Sequence, residues 1–285
     1  MRKAGRQIWL CADDYGISRS VNAAIRELIL RGRINATSVM VAAPHFDPGE
    51  AAALDMLNSG AKRAALGLHA TLTSPFKPMS EGFTPLRHGH FLPLQKMMRA
   101  AITRRLQPER LVIEIATQVE AFVTAFGRLP DFIDGHQHVH LFPQVRDAVL
   151  KVAAEVAPDA WVRQCGRPRS ARRLQDRKEL LLDVLSLGFR RKARQLGVAT
   201  NPAFAGAYDF KGKPDFGATF PRFLDGLPDG GLIMCHPGFV DAELKRLDPL
   251  THQREREFAY FNSDEFPRLL AEHGVALAVP AGDSG

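Results

Sequence analysis

Asp13 and Asp14 stand side by side at the end of the apolar run 7–12. Two neighbouring carboxylates at a buried strand end repel each other and are costly to desolvate. A divalent cation held by one of them relieves the repulsion and leaves the other to act as a base toward water. A solvated Asp-Asp turn is the plainer alternative. His69 closes the run Leu66-Gly-Leu-His, and His136-Gln-His138-Val-His140 follows the strand-end Asp134. If that segment stays extended, its alternate histidines share one face. If it turns, only one or two of them reach a common site. Neutral imidazoles suit Zn²⁺ and Ni²⁺, and a mixed carboxylate and imidazole set also admits Mg²⁺ or Mn²⁺. Cys235-His236-Pro237-Gly238 adds a further histidine at another strand end.

Taken together, these residues describe an open-sided metal site held by one Asp and two His. Such a site lowers the pKa of bound water toward ~7 and polarises a carbonyl. Asp13 would take the water's proton, and His236 would supply one to a departing nitrogen. The chemistry is amide or ester hydrolysis. No GxSxG elbow, Walker A loop or Rossmann glycine fingerprint competes with it.

The elements that must position these groups alternate. Strands are expected at 7–12, 37–42, 64–71, 131–135, 161–162, 232–235 and 275–279. Helices are expected after the Ser18 cap, near 50–57, from Pro108 to Gly127, from Pro143 through Val156, over 176–196, and after a Ser263 cap. This is an α/β pattern with mainly parallel strands, in which sites gather at strand C-termini. Two long Pro-, Gly- and aromatic-rich loops, 73–95 and 197–214, interrupt it. Loops of that length are often functional, and they carry the aromatic residues Phe76, Phe204 and Tyr208, which would be stacking surfaces if the substrate were a sugar. No repeat or linker divides the chain, so one domain over 1–285 is expected.

The 285 residues have ordinary globular composition, with 45% hydrophobic and 24% charged. No apolar run reaches the ~20 residues of a membrane span. The run behind the basic N-terminus is too short for a signal-peptide core, so a cytoplasmic location is expected. Cys11, Cys165 and Cys235 make no CxxC pair and read as reduced, buried thiols. The net charge of +7 is concentrated. Residues 163–194 hold eleven Lys/Arg against three Asp/Glu, a balance of +8. That block is either a solvated helix or a surface for an anionic partner. No nucleic-acid motif accompanies it.

Ala12-Asp-Asp-Tyr-Gly16 with Val21-Asn22, Gly67-Leu-His69, Asp134-Gly-His-Gln-His-Val-His140 with Pro143, and Met234-Cys-His-Pro237 span nearly the whole chain. In order and spacing they resemble the YdjC-like carbohydrate deacetylase family, which includes the chitooligosaccharide and hopanoid-associated deacetylases. The resemblance implies a (β/α) barrel-like fold and a hydrolase acting on carbon–nitrogen bonds in linear amides. Its reaction would be metal-dependent removal of an N-acetyl group from an amino sugar or oligosaccharide. It implies Asp14, His69 and His136 as ligands of one divalent ion, Mg or Zn, with Asp13 as base and His236 as acid or transition-state stabiliser. His138, His140, Tyr15, Asp134 and Tyr208 become supporting or substrate-side groups, Tyr15 standing where the family often has Phe. Family members are often homodimers. Two other readings stay open: a metal-dependent amidohydrolase or phosphoesterase on a non-sugar substrate, and an inactive polyanion-binding protein using the 163–194 block.

Overall fold

Four strands of this chain are buried along their whole length. Strands buried on both faces belong to parallel sheets covered by helices. A computed structural model of the chain describes residues 5–280 except 62, 169, 171–176 and 210–213. The start of the basic N-terminus, part of the 163–194 block and Phe210 of the second loop fall outside the described residues.

The elements run β1 (Arg6–Tyr15), α1 (Arg19–Leu30), β2 (Ala36–Val39), α2 (Pro48–Asp55), β3 (Ala65–Ala70), α3 (Leu94–Ile102), α4 (Pro108–Phe126) and β4 (Phe132–Gly135). Then come α5 (Val145–Val156), β5 (Trp161–Val162), α6 (Arg177–Gln195), β6 (Phe204–Ala205), α7 (Phe216–Thr219), α8 (Pro221–Leu224) and β7 (Leu232–Cys235). The chain ends in α9 (Ala242–Leu247), α10 (His252–Asn262), α11 (Glu265–Glu272) and β8 (Val275–Leu277). The strand order is β5-β4-β3-β2-β1-β7-β6, with β8 joined to the start of β1. Every pairing is parallel.

The two ends of this order approach each other. The Phe204 N–H donates to the Gly166 carbonyl at 3.0 Å, and the Gln164 N–H to Asn201 Oδ1 at 2.8 Å. The sheet is therefore curled and barrel-like, as the alternation of elements implied. One close approach inside it needs glycine. A Cβ on Gly67 would lie 2.3 Å from the Phe132 ring of the neighbouring strand.

Local signals place most helix ends. Ser18 caps α1 by accepting from the Val21 N–H, and Gly127 closes α4 at φ 69°. Three expectations need correction. The loop expected over 73–95 ends at 93, because Leu94 begins α3. The second loop contains β6, a two-residue strand too short to show a period. Ser263 ends α10, and Asp264 stands at the start of α11. The first loop is irregular but anchored. The buried Glu114 carboxylate of α4 accepts from the Met79 N–H at 3.1 Å, the Ser80 N–H at 2.8 Å and Gln118 Nε2 at 2.8 Å.

Candidate metal and catalytic site

Asp13 and Asp14 lie within the last residues of β1 rather than after it. In a regular strand, consecutive side chains point to opposite faces. Here the pairing with β2 slips between Ala12 and Tyr15, and Asp14 adopts φ 70°. A non-glycine residue in that region costs roughly 1–3 kcal/mol, which surrounding contacts must offset. The result is that both carboxylates reach the surroundings of His69, which sits within β3. His69 Nε2 is 3.3 Å from Asp14 Oδ1, and Ser38 Oγ bridges His69 Nδ1 at 3.0 Å and Asp13 Oδ1 at 3.2 Å.

The histidine segment turns. Gln137 and His138 are both left-handed, at φ 54° and 58°. The three imidazoles consequently go to three different neighbours. His136 Nδ1 lies 2.9 Å from Asp14 Oδ1. His138 Nδ1 lies 3.5 Å from Cys165 Sγ. His140 Nε2 donates to the Arg163 carbonyl at 2.9 Å. Burial pulls His140 down to about 4, so it is a neutral structural donor at pH 7. Gly135 permits the fold-back, since a Cβ there would meet the His140 ring at 2.9 Å.

Asp14, His69 and His136 thus offer one oxygen and two nitrogen donors, all within 4.8 Å of one another and all buried. That donor set fits a divalent ion of the zinc or magnesium kind. The far sides of Asp14 and His69 are already fixed. Arg254 donates to Asp14 Oδ2 at 2.6 Å, and Asp134 Oδ1 lies 2.5 Å from His69 Nδ1. A carboxylate behind a ligating imidazole sets its tautomer and orientation. Burial alone would depress His69, but Asp134 and Asp14 hold it up at about 10. Asp14 is held well below its ordinary value: burial opposes this, and Arg254 and His136 overcome it.

Asp13 has a different environment. Both of its oxygens accept from the buried Arg163 at 2.6 Å, and the same guanidinium reaches Asp134 Oδ2 at 2.5 Å. Burial raises the Asp13 carboxyl, but Arg163 lowers it further, to well below the usual carboxylate range. His236 follows β7, whose Cys235 pairs with Ala12, so His236 stands across from Asp13. Burial pulls its ring down to about 4 against the pull of Asp14. Its backbone N–H donates to Glu257 Oε2 at 2.5 Å, and the Tyr208 hydroxyl donates to Glu257 Oε1 at 2.5 Å. Burial pushes Glu257 up to about 7.

Several residues expected in the site are placed elsewhere. Tyr15 is buried and faces α1 and α2: its hydroxyl donates to the Glu50 carbonyl at 2.8 Å and accepts from Arg26 at 2.7 Å. The aromatic faces expected to stack on sugar are buried as well. Phe76 stands edge-on to His136 with ring centres 5.6 Å apart, and Phe204 edge-on to His138 at 5.7 Å. These rings buttress the imidazoles. The three cysteines are buried free thiols, as expected, and burial pushes each above its ordinary value.

Arg163, Arg254 and Glu257 are the groups that sequence reasoning missed. Arg163 directly follows β5, the strand-end position that marked the other candidates, so a signal was present. Arg254 and Glu257 lie on α10, one turn apart, with no strand end to mark them.

The YdjC-like protein family model matches residues 7–272. The chain belongs to this family. A chitooligosaccharide deacetylase from Escherichia fergusonii is 30% identical over 271 residues, covering 93% of this chain and 94% of that one. The enzyme of the same name from Citrobacter koseri is 27% identical, with 93% and 94% covered. Among solved structures, a protein of Enterococcus faecalis named for cellobiose-phosphate cleavage superposes with a TM-score of 0.76 at 20% identity, over 96% of this chain and 97% of that one. A lactam utilization protein from Thermus thermophilus gives 0.54 at 14% identity, over 96% and 99%. These two likenesses concern the fold.

Proposed function

We propose that this YdjC-like protein is a carbohydrate deacetylase that hydrolyses the N-acetyl group of an amino sugar or oligosaccharide. The observation carrying this reading is the buried convergence of Asp14, His69 and His136, with a separate carboxylate, Asp13, and a separate imidazole, His236, beside it. The chitooligosaccharide deacetylase relatives support the substrate class.

Asp14 Oδ1, His69 Nε2 and His136 Nδ1 would hold one divalent ion, zinc or magnesium. When bound, such an ion supplies Lewis-acid polarisation of the amide carbonyl and a lower pKa for water. Asp13 is the proton acceptor in this reading. Arg163 fixes both of its oxygens, so proton transfer uses a remaining lone pair on an anion held in place. His236, neutral at pH 7, donates an N–H hydrogen bond toward the developing oxyanion, and the proton that Asp13 takes from water is the one available to the departing nitrogen. Glu257 fixes the His236 backbone, and Tyr208 steadies Glu257. His138 and His140 brace the segment behind His136. A cytoplasmic location and a homodimer accompany this reading as proposals.

The test is acetate release from N-acetylglucosamine oligomers by protein loaded with Zn²⁺ or Mg²⁺, alongside elemental analysis of bound metal. Release dependent on Asp14 is expected. A metal-loaded protein that deacetylates no acetylated sugar would overturn the substrate class. Hydrolysis of a non-sugar amide or a phosphoester by the same preparation would establish the competing hydrolase reading.

A further inference from the structure

α6 is the crossover helix between β5 and β6, and one of its faces is packed. Leu182, Ser186, Phe189 and Ala193 are buried, with the Phe189 ring 5.8 Å from that of His140. The outer face is apolar and open. Leu180, Leu181, Val184 and Leu187 are 38, 42, 57 and 53% exposed. Positions three and four apart lie on one helix stripe, and this stripe runs on into Arg191 and Arg194, both exposed. The only acids in the α6 sequence, Glu179 and Asp183, both pair with Arg167 and so are already matched to a cation.

A helix with an open apolar stripe, basic flanks and no unmatched acid has the composition of an interfacial helix. We propose that the outer face of α6 docks on an anionic lipid bilayer. Leu180, Leu181, Val184 and Leu187 enter the headgroup and acyl boundary, and Arg191 and Arg194 meet headgroup phosphates. The charge favours this occupant over a second copy of the chain. A two-fold contact through the same stripe would either set the arginines of both copies side by side, where like charges repel, or, run antiparallel, lay each copy's arginines on the other's apolar leucines and bury unpaired charge. By sequence α6 itself holds six Lys/Arg against two Asp/Glu, a balance of +4, which favours an anionic surface. A crossover helix runs back antiparallel to its strands, so the leucine-bearing half of α6 lies toward the strand C-termini that carry the site.

The experiment is co-sedimentation of the full chain with phosphatidylcholine vesicles, with and without phosphatidylglycerol, at low and high salt. Binding is expected only with phosphatidylglycerol and is expected to weaken as salt rises. Val184→Ser with Leu187→Ser should weaken it by about tenfold or more, and Arg191→Glu or Arg194→Glu by roughly fivefold or more for each reversed charge. All four side chains are solvent-facing, and circular dichroism checks that each variant folds. Wild type that stays in the supernatant with phosphatidylglycerol vesicles overturns the proposal. So does binding that the serine substitutions leave unchanged. A dimer abolished by those substitutions, with no vesicle binding, assigns the face to a second copy and likewise overturns it.

Discussion

Asp13 and Asp14 are chemically identical neighbours, and the fold gives them opposite surroundings. Both Asp13 oxygens are closed by Arg163. Asp14 has Arg254 on one oxygen only, and the other faces two imidazoles. A guanidinium is always protonated and acts as a permanent counter-charge. An imidazole gives up its proton and binds a metal. One aspartate is therefore held ionised, ready to take a proton, while the other, in the proposed reading, sits where a proton and a metal cation exchange. In the proposed reading, which carboxylate would hold an ion follows from its partners, not from the residue type.

Exchanging the two sides of the pair should break this comparison. Asp14→Asn is expected to abolish stoichiometric metal binding and to lower deacetylation by about a thousandfold or more, the range reached when a reaction's central polar group is lost. Asp13→Asn should keep the metal in elemental analysis while lowering kcat by roughly a hundred- to ten-thousandfold, as for loss of a general base. Equal metal content in the two variants would erase the distinction.

Arg163→Met comes next. It leaves Asp13 and Asp134 buried without their shared cation, a change that costs about 3–5 kcal/mol when a buried ion pair is broken. Denaturant unfolding should show that loss. A change below about 1 kcal/mol would mean that Arg163 does not hold the pair in solution.

The exchange at His69 is readable by pH. Its folded pKa is about 10 in the metal-free chain, against 6.5 for the ordinary group. A raised value means that the contribution to stability is complete below about 6.5 and is lost as pH rises through about 10. Chelated protein should therefore lose stability across that window. Metal binding at pH 7 should release about one proton, because the ligand must be neutral. Calorimetry in buffers of different ionisation enthalpy measures the release, and zero protons would contradict the protonated His69.

The smallest expected effect is at Gln137, exposed at φ 54°. Gln137→Gly relieves a left-handed residue but loosens the unfolded chain, for a net gain of up to about 1 kcal/mol in a denaturation midpoint. A clear loss would show that the glutamine side chain helps hold the turn.

The sequence displayed the strands and their parallel arrangement, and it marked Asp13-Asp14, His69 and the 136–140 histidines as candidates, because each stands at or near the end of an apolar run; the choice of Asp14, His69 and His136 among them came from the family resemblance. It did not display the ion pairs that distinguish Asp13 from Asp14. Arg163 and Asp13 are 150 residues apart, and no local period links them. The 136–140 segment was legible as a cluster but not as a turn, since two successive left-handed residues leave no mark when neither is glycine. The stacking role expected of Phe76, Phe204 and Tyr208 failed for a related reason. Aromatic residues in a loop look available in sequence, yet here the loops fold inward and bury them. The basic block was also only half readable. Arg163 and Arg167 belong to buried ion pairs, while Arg191 and Arg194 face solvent.

Arg254 lies 240 residues beyond Asp14 and is buried against it. Synthesis runs from the N-terminus, so Asp14, His69 and His136 all leave the ribosome well before the guanidinium that steadies Asp14. A nascent chain with β1 to β4 already paired would hold the three donors around a carboxylate still missing its counter-charge. The site is thus completed by α10, which emerges after β1 to β7, and a chain cut short before it would carry the three candidate donors without the residue that holds the carboxylate in place.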